Sequence, residues 1–99
     1  MRDTLLQKAQ SARLASLDGV GQHIELRRWR ILRAALPDRH VLSKRPLWVE
    51  TPEEFLWWLA AELEQQALRT YLKDLELIAK QTCDLVLLRL ARDAWGRWT

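Results

Sequence analysis

The stretch from Thr51 to Trp95 constrains the fold of this 99-residue chain more than any other feature. No glycine or proline stands between Pro52 and Gly96, and most of the residues there are strong helix formers: Leu, Ala, Glu, Gln, Lys and Arg. The stretch also carries a clear start signal, because Thr51 can cap a helix, Pro52 suits its first position and Glu54 completes a capping box. The sequence therefore predicts a helix that begins at Thr51.

One straight helix over this stretch would be about 65 Å long at about 1.5 Å per residue, which is too long for a small chain unless it folds back or pairs. We expect a break between Leu68 and Asp74, with Thr70 as the cap of a second segment, although a single helix stays an alternative. Wide apolar stripes from Leu72 to Ala94 predict that this last helix lies at the centre of a bundle or at an interface. Gly96 is expected to end it.

Two more helices are predicted in the first half of the chain. The first is expected from about Thr4 to Leu17, where a capping-box pattern precedes an apolar stripe, and Gly19 and Gly21 are expected to stop it. The second is expected from about Gln22 to Leu36, since a proline follows directly. These features predict an all-α fold, a small bundle of about four helices.

Composition supports one domain covering residues 1–99, because 48% of the residues are hydrophobic and 29% are charged. The single cysteine, Cys83, excludes an internal disulfide and is expected in the core, since it falls on an apolar stripe. No apolar stretch approaches about eighteen uncharged residues, so no membrane span is expected. The N-terminal segment also lacks a signal-peptide core, and we expect a cytoplasmic protein.

Charge is distributed unevenly between the two halves of the chain. Residues 1–46 contain ten Lys or Arg against four Asp or Glu, whereas residues 47–99 contain six against nine. Basic side chains share one side of the second predicted helix and continue into the loop that follows it, residues 38–50. We call this set the basic strip: His23, Arg27, Arg30, Arg33, Arg39, Lys44 and Arg45. It is the predicted binding surface for nucleic acid or for a partner protein.

Arg28 falls on the apolar side of the same predicted helix. A long basic side chain in that position either extends to solvent or pairs with an acid. We expect its partner to be Glu25 or an acidic residue of the C-terminal half.

Six tryptophans are many for so small a domain. Trp57 and Trp58 are adjacent, so both cannot face the same core, and one of them is expected at an edge, a cleft or an interface. Trp98 follows the predicted end of the last helix and has no evident place inside. These three are the candidate aromatic anchors, for stacking on bases or for docking on a protein.

Catalytic and metal-binding patterns were sought among two histidines, one cysteine and the acidic residues. Asp84 to Ala91 resembles the stretch that ends the metal site of all-α nucleotide pyrophosphohydrolases of the MazG type, which gathers Mg²⁺ at two pairs of carboxylates. The required pairs are absent, because Gln81 stands where a glutamate should and Glu62 and Glu64 are two residues apart. No enzyme, cofactor or metal is therefore predicted.

A DNA-binding helix-turn-helix is a further alternative, with Gly19 as the turn glycine. Glu25 stands at a position of that motif that should be buried, which argues against sequence-specific DNA contact.

The sequence favours a non-enzymatic accessory subunit of a larger nucleoprotein assembly that contacts nucleic-acid backbone non-specifically. The alternative is a protein interaction module, an adaptor or inhibitor, that binds an acidic partner through Arg and Trp hot spots. Either function allows a homo-oligomer.

Overall fold

Four α-helices and one 3₁₀ helix form the part of the chain that a computed structural model describes, residues 19–36 and 38–99. The helices are α1 (Gly19–Ala34), the 3₁₀ helix (Arg39–Lys44), α2 (Pro52–Glu62), α3 (Gln65–Gln81) and α4 (Leu85–Trp98). No strand occurs among these residues, and the predicted small all-α bundle is confirmed. The helix predicted up to Leu17 lies outside the described residues.

The start of α2 follows the sequence signal. The Thr51 hydroxyl oxygen accepts a hydrogen bond from the backbone N–H of Glu54 at 3.1 Å, and the Glu54 carboxylate accepts one from the Thr51 N–H at 3.0 Å. Pro52 occupies the first turn. This capping box satisfies backbone donors that a helix start leaves without intrahelical partners.

The stretch after Thr51 forms three helices, and the predicted break between Leu68 and Asp74 is wrong because that range lies inside α3. The first break comes at Leu63 and Glu64, which adopt extended backbone angles. Leu63 is partly buried against the core. Packing of this side chain therefore ends α2, although the residues around it have high helix propensity.

The second break, at residues 82–84, is a Schellman turn. The Cys83 N–H donates to the Lys80 carbonyl at 3.2 Å, and the Asp84 N–H donates to the Ala79 carbonyl at 3.0 Å. Cys83 has the left-handed φ of 56° that this turn requires and that glycine usually supplies. Its side chain is exposed, so the prediction of a core cysteine is wrong.

Glycines do not interrupt the helices as predicted. Gly19 and Gly21 lie inside α1, which therefore begins before Gln22, and the predicted glycine turn is wrong. A helix-turn-helix would need that turn. Gly96 lies inside α4, which continues to Trp98, and no described glycine has a positive φ.

The core holds large side chains from all four α-helices. Trp29 packs edge-to-face on Phe55 with ring centroids 5.6 Å apart, and Phe55 also contacts Trp58. The Tyr71 hydroxyl donates to the Leu32 carbonyl at 2.9 Å, joining α3 to the last turn of α1. None of the helices within residues 19–36 and 38–99 has the length and apolar character needed to cross a bilayer.

Candidate nucleic-acid interface

Three arginines of the basic strip line one groove. Arg30 and Arg33 come from the C-terminal half of α1, and Arg39 comes from the start of the 3₁₀ helix. The groove has a volume of about 350 Å³. We call it the arginine groove, and its other walls are Leu26, Trp29 and Ala34. No Asp or Glu from the described part of the chain lines it, so the charged residues that line it there are all positive.

Hydrogen bonds stabilise the local structure on both sides of the groove. Trp29 is buried, and its indole N–H donates to the Glu25 carboxylate at 3.2 Å, which holds the groove wall in place. On the other side, the Asp38 carboxylate caps the 3₁₀ helix by accepting the His40 N–H at 2.9 Å. This cap sets the backbone that carries Arg39 towards α1.

Two further members of the basic strip lie at a different groove. His23 and Arg27 line a groove of about 370 Å³ between the N-terminal half of α1 and the beginning of α4. The Arg27 guanidinium donates to the backbone carbonyl of Thr82. The exposed apolar side chains of Ile24 and Val86 share this groove, so its character is mixed.

The last two members of the strip differ in their exposure. Lys44 is exposed at the end of the 3₁₀ helix. Arg45 is half-buried and donates to the Val49 carbonyl, so it stabilises the loop. Val49 itself is fully buried, whereas its neighbours Leu47 and Trp48 are exposed, so only one of these three apolar side chains enters the core.

Arg28 pairs with Asp84 at 2.8 Å, which confirms the expected partner in the C-terminal half. Asp84 is buried, caps α4 by accepting the Leu87 N–H at 3.0 Å, and thereby connects α1 to α4. Burial raises the pKa of the Asp84 carboxyl, but hydrogen bonds from Arg28 and Leu87 and the charges of Arg28 and Arg27 outweigh burial and lower this pKa below its ordinary value.

The three candidate aromatic anchors lie in different environments. Trp57 is 42% exposed, Trp58 is 4% exposed and packs in the core, and Trp98 is half-buried. Trp57 and Trp98 line one small pocket between α2 and α4, and no residue of the basic strip lines it. The pocket that contains Trp57 and Trp98 is therefore separate from the basic strip.

Sequence reasoning missed the combined role of Asp84. Aspartate is a common N-cap residue, so Asp84 could have been predicted to cap a helix. The capping-box signal is absent, however, because neither Glu nor Gln stands three residues later. Its carboxylate is engaged by Arg28 and Leu87. Within residues 19–36 and 38–99, no three His, Cys, Asp or Glu side chains lie close enough together to hold a metal ion.

Known proteins were compared with the chain by sequence and by structure. No protein family matches it, and no curated protein or solved structure shows significant similarity to it.

Proposed function

We propose that this protein is a small, non-enzymatic accessory subunit of a larger nucleoprotein assembly, and that it contacts nucleic-acid backbone non-specifically through α1 and the 3₁₀ helix. The observation that carries the proposal is the arginine groove, which is lined by three arginines and by no carboxylate of the described residues. Guanidinium groups bind phosphate in a bidentate manner and keep their charge at every physiological pH.

The spacing along the arginine groove also suits a phosphate backbone. Arg30 and Arg33 are three residues apart in α1, or about 4.5 Å at about 1.5 Å per residue. Successive phosphates of one strand are about 3.4 Å apart along the axis of a duplex, so a strand in the groove presents more than one phosphate over this length. The arginine groove contains only arginines and apolar residues, and it offers no Asn or Gln from the described chain to read adenine.

Fluorescence anisotropy with labelled single- and double-stranded oligonucleotides tests the proposal at low and moderate salt. We expect affinity to fall with salt, with a log–log slope of about −1.5 to −2 for two phosphates neutralised by the exposed Arg30 and Arg39. Affinity should change little between sequences of equal length, because backbone contacts carry no sequence information.

A matched pair of variants separates the arginine groove from overall charge. The double variant Arg30→Glu, Arg39→Glu reverses the charge of two exposed residues of the groove. The double variant Arg69→Glu, Arg89→Glu makes the same change in net charge at exposed positions of α3 and α4. We expect the first variant to lose binding and the second to retain most of it. Equal losses would assign binding to net charge alone, and no binding at low salt would reject phosphate contact.

The second candidate function is a protein interaction module for an acidic partner, and the α1–α4 groove favours it. Leu85 is 75% exposed and Val86 is 52% exposed there, beside the basic side chains of His23 and Arg27. This combination suits an amphipathic helix with acidic flanks. Titration with a peptide of Leu and Glu at helical spacing tests it, and Val86→Asp should abolish peptide binding without changing oligonucleotide binding.

A further inference from the structure

The small pocket between α2 and α4 has a composition unlike that of the arginine groove. Trp57 and Glu53 line it from α2, and Asp93, Arg97 and Trp98 line it from α4. Its floor is apolar and includes the buried side chain of Leu56. Two indoles and two carboxylates thus surround one apolar floor.

This arrangement attracts cations. The face of an indole carries negative electrostatic potential, and tryptophan is the most effective aromatic side chain for binding a cation. Glu53 and Asp93 are both exposed, and within the described residues neither carboxylate forms an ion pair. With Arg97, the formal charge at the pocket is −1, which opposes the positive charge of the arginine groove.

The protein's own Arg97 shows that a cation can lie on one of these rings. Its guanidinium carbon lies 5.4 Å from the centre of the Trp98 ring. The backbone around this ring is also fixed, since the Gln65 side-chain amide donates to the Trp98 carbonyl at 3.1 Å. On the other wall, Trp57 directly precedes Trp58, whose burial in the core anchors that turn of α2.

The volume of the pocket and the hydration of the cation determine which cations suit it. Its volume of about 50 Å³ is several times the roughly 10–15 Å³ that one water molecule needs, and it suits a group of a few heavy atoms. A primary ammonium is strongly hydrated, so its transfer onto an apolar floor is costly. Methylation weakens that hydration and adds apolar surface.

We propose that Trp57 and Trp98, with Glu53 and Asp93, form a binding site for a methylated ammonium group. The indoles contact the methyl groups, and the carboxylates oppose the charge. Arg97 competes for the Trp98 ring, so the site is partly self-occupied before the ligand arrives. This inference is independent of the arginine groove and requires no nucleic acid.

Titration of the full chain with choline tests the proposal, followed by indole N–H chemical shifts and intrinsic tryptophan fluorescence. We expect saturable shifts confined to Trp57 and Trp98. The neutral alcohol in which carbon replaces the choline nitrogen has the same shape, and it should bind about tenfold more weakly because it lacks the cation. A short peptide with trimethyl-lysine is the second probe, and the tighter of the two indicates the source of the ammonium group.

Single substitutions then assign the contacts. Trp57→Leu should abolish the response, while Trp48→Leu removes a somewhat more exposed tryptophan outside the pocket and should preserve it. Glu53→Gln should weaken choline binding about threefold, and Arg97→Gln should strengthen it by a similar factor. Circular dichroism checks that each variant is folded.

Three outcomes would overturn the proposal. The first is equal binding of choline and its neutral analogue, which would make the pocket merely apolar. The second is the same response in the Trp57→Leu and Trp48→Leu variants. The third is no saturable shift with either ammonium probe.

Discussion

Replacement of Asp84 by alanine should be among the most destabilising single changes in this protein. Its carboxylate accepts the Leu87 N–H at the start of α4 and binds the Arg28 guanidinium of α1 at 2.8 Å. The side chain of Asp84 is only 6% exposed, and that of Arg28 is 20% exposed. Removal of the carboxylate therefore takes away a helix cap and leaves a mostly buried cation without its partner.

The size of the effect follows from these two losses. An N-cap aspartate contributes about 1 kcal/mol to the free energy of unfolding. A hydrogen bond to a charged group contributes about 1.5–3 kcal/mol, and we take the lower part of this range because water still reaches Arg28. Asp84→Ala should thus cost about 2.5–3 kcal/mol, a large share of the roughly 5–15 kcal/mol that stabilises a small domain.

Urea denaturation followed by tryptophan fluorescence measures this cost. Asp84→Asn is the matched variant, because asparagine retains the cap but removes the charge, and it should cost about 1–2 kcal/mol. A double-mutant cycle with Arg28→Ala should give a coupling free energy of about 1–2 kcal/mol. Costs below about 0.5 kcal/mol for both Asp84 variants would refute the reasoning, since ordinary surface changes reach that size.

The same contact predicts a dependence on pH. The pKa of Asp84 is lower in the folded protein than in the unfolded chain, so its contribution to stability is complete above the unfolded pKa of about 4 and is lost as pH falls through the folded pKa. The stability difference between wild type and Asp84→Asn should therefore be constant near neutral pH and shrink in acid. A difference that grows in acid would contradict the assignment.

The remaining predictions concern three single residues: Cys83, Gly96 and Tyr71. Cys83→Gly should stabilise the protein by about 0.5–1 kcal/mol, because glycine adopts the φ of 56° without strain, and Cys83→Ala should not; melting temperatures distinguish them. Gly96→Ala should also stabilise the protein, by about 0.5 kcal/mol, because this glycine is helical and a Cβ there meets nothing within 4 Å. A decrease in stability would show that residue 96 is not helical. Tyr71→Phe should cost about 1–3 kcal/mol by leaving the buried Leu32 carbonyl without its donor. Burial raises the pKa of Tyr71, the only tyrosine, so ultraviolet difference absorbance should show no tyrosinate in the folded protein near pH 10, and the stability that this residue contributes should fall above that pH.

Local signals predicted the parts of the fold that depend on local interactions. The start of α2 was correct because Thr51 and Glu54 bond to each other's backbone within one turn. The all-α class followed from the same helix-forming composition. The break at Leu63 was missed because it depends on a tertiary contact, since Leu63 turns towards the core. The break at Cys83 was missed because a non-glycine residue occupies the left-handed position of the turn, so the usual glycine signal is absent.

The candidate site was predicted as one basic strip, and the structure divides it. Helical periodicity correctly grouped Arg30 and Arg33, but only the path of the chain after α1 could bring Arg39 beside them. In the sequence, Arg45 resembles the other arginines of the basic strip. In the structure, its side chain donates to the Val49 carbonyl and stabilises the loop. Periodicity also could not show that Trp57 and Trp98, far apart in sequence, would line one pocket.

The pairing of α3 with α4 has a consequence for how the chain folds. These two helices share the most extensive helix–helix contact, and they are joined at one end by the turn at Asp84 and at the other by Gln65 and Trp98. Such a hairpin closes only a short loop, so it can form early as a nucleus. Contacts from α1 must close loops of 39 and 56 residues, through Tyr71 and through Asp84, and so form later. During synthesis on the ribosome, α1 emerges before α2, α3 and α4, so its contacts with Tyr71 and Asp84 form only after the hairpin that supplies those residues has been made.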